Sequence, residues 1–293
     1  MSLVINHNLM AMNANRNLAD SYGSLGVSTR RLSSGLRVGT AADDAAGLAI
    51  RELMRSDIKS LNQGIRNAND AISMIQTADG ALGVIDEKLI RMKELATQAS
   101  TGTYNSDQRL IIDSEYQAMA SEITRIASAT DFNGIHLLNG NMSGASSDHS
   151  GTGLTSTGPV KVHFGTGNDC SEDYYYVSIN TSTASALGVG SAASNSISTQ
   201  ELAQKSLEKL NNAIISKDKI RANLGAMQNR LENTITNLSI QAENVQAAES
   251  RISDVDVATE MTEFTRNQIL TQSAVAMLSQ ANSMPRMAMQ LIG

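Results

Sequence analysis

"MRSDIKSLNQGIRNANDAISMIQTADGALGVIDEKLIRMKELATQA", residues 54–99, carries the pattern that decides the fold. Counting by sevens from Met54 gives Leu61, Ala68, Ile75, Leu82, Leu89 and Ala96, all apolar. Ile58, Ile65 and Ile72 supply a second position, four residues after each of the first three. At Asp79 that second position turns polar, and the pattern resumes one residue earlier in the heptad with Ala78, Ile85 and Met92. A seven-residue apolar repeat marks a helix that lays one seam against a partner helix. The stretch therefore predicts a helix to about Ala99 whose seam shifts at Asp79 without ending.

The partner is expected near the other end of the sequence. Ile220, Leu224, Met227, Leu231, Ile235, Leu238, Ala242, Val245, Ala248, Ile252 and Val255 advance in steps of three and four. A continuous helix from Leu202 to Val257 would be on the order of 85 Å long, at about 1.5 Å per residue. Such a rod cannot bury its own seam, so the helix entered at Met54 is its natural complement. Between them, "STGTYNSD" (100–107) is a cluster of turn and cap residues. Ile112, Tyr116, Met119, Ile123 and Ile126 then mark another helix, with Asp107 or Ser106 as its N-cap and an end near the Asn133-Gly134 turn. "VKVHFG" (160–165) and "YYYVSIN" (174–180) alternate like two strands. The fold class predicted is mainly α: long antiparallel helices forming a coiled-coil-like rod, with a small β-hairpin in mid-chain.

Composition agrees. The 293 residues include no Trp, three Phe and two Pro, and the first proline is Pro159, which leaves long stretches free to be helical. The net charge of -6 disfavours nucleic-acid binding. A single cysteine, Cys170, excludes an internal disulfide. The first residues, "MSLVINHNLMAMNANRNL", have neither a basic n-region nor a continuous apolar h-region, so no cleaved signal peptide is expected. No apolar run approaches the ~18 residues of a membrane span, and no membrane insertion is expected.

Both ends are weaker. Residues 1–40 show only Leu18, Tyr22, Leu25, Leu32 and Leu36, interrupted by glycines; residues 257–292 show Met261, Phe264, Ile269, Leu270, Leu278 and a methionine-rich tail. Neither has enough apolar surface for a core of its own, so both are expected to be disordered in the monomer and to become helical on assembly. Arginines gather early (Arg30, Arg31, Arg37, Arg51, Arg55) and carboxylates late (Glu243, Glu249, Asp254, Asp256, Glu260, Glu263), which suits steering between subunits.

Enzymatic patterns are missing. The four histidines, His7, His136, His149 and His163, form no HExxH. His149, His163, Asp169 and Cys170 share a loop-rich region at spacings that match no standard ligand set. No GxSxG, P-loop or dinucleotide fingerprint is present. No catalytic residue, cofactor or metal is assigned. The Ser/Thr-rich stretch from Ser143 to Thr157 reads as a flexible loop, with O-glycosylation as its functional alternative.

Several motifs, in order, carry a family resemblance. "RLSSGLRVGTAADDAAGLAI" (31–50) and "FTRNQILTQSAVAMLSQANSMPRMAMQLIG" (264–293) resemble the terminal signatures of bacterial flagellin. "NANDAISMIQTADGAL" (67–82), "DFNGIHLLNG" (131–140) and "NLGAMQNRLENTITNLS" (223–239) resemble its rod. The resemblance implies an extracellular filament subunit of the bacterial flagellum, exported without a cleaved signal peptide. It also implies a terminal inner coiled-coil domain, residues 1–45 and 255–293, and a helical rod domain, residues 46–254, with a β-hairpin region at about 132–190. No large outer variable domain is expected. The partners implied are further copies of the chain, an export chaperone on the C-terminal segment, and the filament cap and hook-junction proteins. A hook-filament junction protein is the alternative identity.

Residue by residue, the resemblance places a spoke between the two domains at Arg31, Leu32, Ser33, Ser34, Gly35, Leu36, Asp43 and Asp44, although a carboxylate there also suits a plain helix cap. It places contacts with the vertebrate Toll-like receptor for flagellin at Arg91, Leu95, Gln98 and Glu115. The helix seam residues are Met54, Leu61, Ala68, Ile75, Leu82, Leu89, Leu224, Leu231, Leu238 and Val245.

Overall fold

The computed structural model describes residues 8–143, 158–169, 172–190 and 195–292. His7, His149, Cys170 and residues 144–157 of the Ser/Thr-rich stretch lie outside them. The elements run α1 (Leu9–Ser34), α2 (Ala45–Ser100), α3 (Ser106–Ala129), β1 (Asp131–Phe132), β2 (Ile135–His136), β3 (Val160–His163), β4 (Tyr174–Val177), α4 (Gln200–Ser253) and α5 (Val257–Ile292). The chain divides into two compact units, Lys59–Ala242 and Met1–Ile58 with Glu243–Gly293. The long helices and the mid-chain hairpin are those predicted.

In the central unit, α2 buries an unbroken seam. Leu61, Ala68, Ile75, Leu82, Leu89 and Ala96 are buried, and so are Gly64, Ala71, Ala78, Ile85, Met92 and Ala99. Together these positions step by three and four from 61 to 99, so the shift expected at Asp79 does not exist. Ile58, Ile65 and Ile72 are half-buried flanks. The reason the sequence misleads is that the true second seam begins with small residues. A Cβ at Gly64 would run into the Phe164 carbonyl, and the Asn67 amide donates to the His163 carbonyl at 2.8 Å. The hairpin therefore rests on a notch in α2 that only glycine can form.

On α4 the pattern continues upstream of Ile220: Ala203, Ser206, Leu210, Ala213 and Lys217 are all buried, as are Ile220, Leu224, Leu231, Leu238 and Ala242. Arg221 meets Asp79 at 2.7 Å and Lys217 meets Asp86 at 2.6 Å, so α4 runs antiparallel to α2. α3 is also antiparallel to α2, with Arg91 on Glu115 at 2.8 Å and Arg109 donating to the Ala99 and Thr101 carbonyls at 3.0 Å. A guanidinium there satisfies carbonyls that the end of α2 leaves without partners. The N-cap of α3 is Asn105, not Ser106 or Asp107: its side chain accepts from Gln108 N and the Gln108 side chain accepts from Asn105 N, a reciprocal capping box.

Two antiparallel strand pairs lie between α3 and α4 in the sequence. β1 and β2 pair around Asn133 (φ 51) and Gly134 (φ 80), left-handed in both central residues, as a two-residue hairpin requires. β3 and β4 pair Val160 with Val177 through His163 with Tyr174. Their inner side chains Val162 and Val177 join Phe164 and Ile179 in the core of α2, α3 and α4.

Candidate assembly surfaces

In the other unit, α1 and α5 pair antiparallel: the Asn8 amide donates to the Ala281 carbonyl at 2.8 Å at one end, and Arg31 faces Glu260 at 3.5 Å at the other. What this pair buries is unusual. Among the described residues, the buried side chains of α1 and α5 are Ser28, Glu260, Thr271 and Ala281. Its large apolar side chains are covered only in part: Leu18, Leu25, Leu32, Phe264 and Leu278 are half-buried, and Leu9, Met12, Ile269 and Met277 are each more than half exposed, at 63%, 60%, 57% and 65%. Met10, Leu270 and Met277 line a shallow groove along the pair with Asn13, Ala14, Asn17, Ser21, Ser273 and Ala274. Exposed apolar surface on this scale, on both helices, is the physical signature of a face awaiting a protein partner.

Both chain bends of this unit meet. α1 ends at Gly35, whose φ of 72 is the left-handed conformation that a residue with a Cβ resists. Its N–H closes on the Arg31 carbonyl at 2.8 Å. Opposite, α4 stops at Ser253 and α5 starts at Val257, so the continuous helix expected to Val257 is broken. No Gly or Pro marks the break. It is made by pairing: Arg37 N donates to Ser253 O at 2.7 Å, Val255 N donates to Gly35 O at 3.0 Å, and Leu36 and Asp254 form an isolated antiparallel bridge. The Arg37 guanidinium adds a bond to the Ile252 carbonyl at 2.7 Å. Asp256 then caps α5, accepting from Ala258 N at 3.0 Å and Thr259 Oγ1 at 2.8 Å. Bonds from Thr259 and Ala258 hold its carboxyl below the usual range.

Asp43 and Asp44 divide the labour at the start of α2. Asp44 is the cap, accepting from Gly47 N at 2.9 Å. Asp43 binds the preceding loop, accepting from Thr40 N at 3.0 Å and Thr40 Oγ1 at 2.9 Å, and pairs with Arg30 at 2.7 Å. The Thr40 bonds, with the Arg30 charge, hold its carboxyl below the usual range. Arg51 is buried and donates to the Val38 carbonyl at 2.6 Å. Arg31 and Leu32 are half-buried, Ser33 and Ser34 exposed, and Leu36 half-buried. Arg31 Nε is buried without a hydrogen bond, facing a nearly covered Glu260.

Among the other candidates, Met54 and Val245 are half-buried, while Leu224, Leu231 and Leu238 are buried. On the central unit Arg91, Gln98 and Glu115 are exposed and Leu95 is core, 2% exposed. Leu95 therefore lies beneath that face and supports it. Arg91 bridges Glu115 and Glu94, and Gln98 donates to Tyr104 Oη at 3.1 Å. The Glu115 and Glu94 bonds push the Arg91 guanidinium further up, keeping it charged. Sequence reading overlooked Lys217, the one charged side chain in the buried seam of α4. Extending the three-and-four steps backward from Ile220 would have found it.

Known protein families match the chain from each end. Residues 5–143 match the bacterial flagellin N-terminal helical region, and residues 207–292 match the bacterial flagellin C-terminal helical region. The chain is 42% identical over 293 residues to the flagellar filament 33 kDa core protein of Treponema phagedenis, covering 99% of this chain and 100% of that one. It is 42% identical over 290 residues to a flagellin of Halalkalibacterium halodurans, covering 99% and 100%. A solved putative flagellar hook-associated protein from Vibrio parahaemolyticus shares the fold, with a TM-score of 0.56 over 72% of this chain and 100% of that one, at 13% identity.

Proposed function

Because the chain belongs to the bacterial flagellin family, as a short form without a large outer domain, we propose that it polymerises into the extracellular filament that propels a swimming bacterium. The observation that carries this reading is the outward apolar face of the terminal helices. Copies related by a rotation that does not close bury such a face repeatedly and give an open helical polymer. The terminal residues, 1–45 and 255–293, become the inner domain on docking, and the bends at 35–44 and 254–256 form the spoke through which the rod reads its neighbours. Electron microscopy of protein heated to monomer, cooled and seeded tests this. Long filaments are expected; monomers or short rings under all conditions overturn it.

Finer partners follow from the same surfaces. Met261, Ile269, Leu270, Val275 and Met277 are exposed on α5, a stretch that an export chaperone would have to cover before assembly. Export without a cleaved signal peptide, a cap at the growing tip and junction proteins at the base complete the reading. The exposed Arg91, Gln98 and Glu115 support sensing of the monomer by the vertebrate Toll-like receptor for flagellin. Unchanged receptor signalling by a soluble Arg91→Ala monomer would sink that part.

A further inference from the structure

An apolar seam with a seven-residue period matches its partner again after a slide of one heptad, about 10 Å along the axis. Leucines alone therefore do not say which turn of α4 belongs against which turn of α2. The charges beside the seam do. Asp79 and Asp86 stand one heptad apart on α2. Arg221 grips Asp79 through Nε at 2.7 Å and Nη2 at 3.1 Å. Lys217 occupies a seam position, with its side chain 2% exposed and its ammonium on Asp86 at 2.6 Å and Asp218 at 2.7 Å. A slide of one heptad in one direction would carry Arg221 from Asp79 to Asp86, an equivalent carboxylate. Lys217 already holds Asp86. The slide in the other direction would bring Asp86 against the part of α4 near Leu210, where the adjacent cation, Lys209, is engaged with Asn195 Oδ1 at 2.6 Å.

We propose that Lys217 is a register lock of the central unit: by occupying Asp86 it leaves Asp79 as the sole carboxylate open to Arg221, and so fixes one of two nearly degenerate alignments of α4 on α2. A polar residue in an apolar seam that selects register at some cost in stability has precedent in coiled coils. The inference does not depend on filament assembly, because every residue in it lies in the central unit.

The test is a pulsed electron-spin distance measurement on the full chain. Nitroxides are attached at Ser73→Cys on α2 and Asn211→Cys on α4, both exposed sites, with Cys170→Ala to remove the native thiol. The otherwise native chain and Lys217→Arg are expected to give one distance. Lys217→Met is expected to add a second population about 10 Å longer, seven residues at about 1.5 Å each. Lys217→Met combined with Asp86→Leu is expected to return to one distance, since the competing carboxylate is gone. A single native distance in Lys217→Met overturns the proposal, and so does a second population that persists in the double variant. If Lys217→Met does not recover the native helical signal, Lys217→Gln carries the same two outcomes.

Discussion

The central unit and the terminal helix pair are both made of long antiparallel helices, yet they bury their apolar side chains to different depths. In the centre Leu82, Ile85, Leu89 and Met92 are fully covered. In the terminal pair the fully covered side chains are Ser28, Glu260, Thr271 and Ala281, while Leu18, Leu25 and Leu278 are half-buried and Met12, Ile269 and Met277 exposed. One set of helices stabilises itself by full burial; the other covers its apolar side chains only in part. The difference teaches that helicity and packing sense are separate properties. A chain can specify a helix pair locally and leave its stabilisation to further copies.

The sharpest break of this comparison pairs two leucine truncations. Leu82→Ala in the central seam is expected to cost about 3 kcal/mol of monomer stability, as a core cavity does. Leu270→Ala in the terminal pair is expected to change it by at most about 0.5 kcal/mol but to raise the concentration needed for assembly. Urea unfolding and a sedimentation assay for polymer measure the two.

Alkali should act mainly on the centre. Burial pushes the Tyr116 phenol up to about 12, from an ordinary value near 10. Stability is therefore fully present below pH 10 and falls between pH 10 and 12, because the unfolded chain loses its proton first. The loss is about 2 kcal/mol, and Tyr116→Phe should flatten that limb of the unfolding profile. Of similar or smaller size is Gly64→Ala, whose methyl meets the Phe164 carbonyl. It should cost about 1–2 kcal/mol and raise amide exchange in β3 while leaving the helices intact. Smallest is Arg91→Ala, which removes an exposed ion pair with Glu115; the thermal unfolding midpoint should barely move, because solvent screens such a pair.

How much of this was legible in the sequence depended on side-chain size and on distance along the chain. The seam at Leu61 to Ala96 could be read because large apolar residues recur locally. Its companion at Gly64 and Ala71 could not, because what makes those positions small is the hairpin docked on them, some hundred residues away (Phe164). The mid-chain strands were visible from alternation. The break at Asp254 to Asp256 was not, because Ile252 and Val255 keep the helical steps and the interruption comes from Gly35 to Arg37. The weakness of both ends is apparent from composition, but not which of their apolar residues stay exposed: Leu18 and Leu25 are half-buried, Met12 and Met277 are not. The two carboxylates at the junction read as spoke residues with a plain helix cap as the alternative; the cap fits Asp44, while Asp43 ties Thr40 and Arg30.

The most direct test of the account is amide hydrogen exchange, compared residue by residue between the monomer and the assembled filament. α2 from Leu61 to Ala99 and α4 from Ala203 to Ala242 should be protected in both states, while α1 and α5 should exchange within the fastest times in the monomer and become protected in the filament. Equal and strong protection of α1 and α5 in the monomer would contradict it, by showing that the terminal pair stabilises itself.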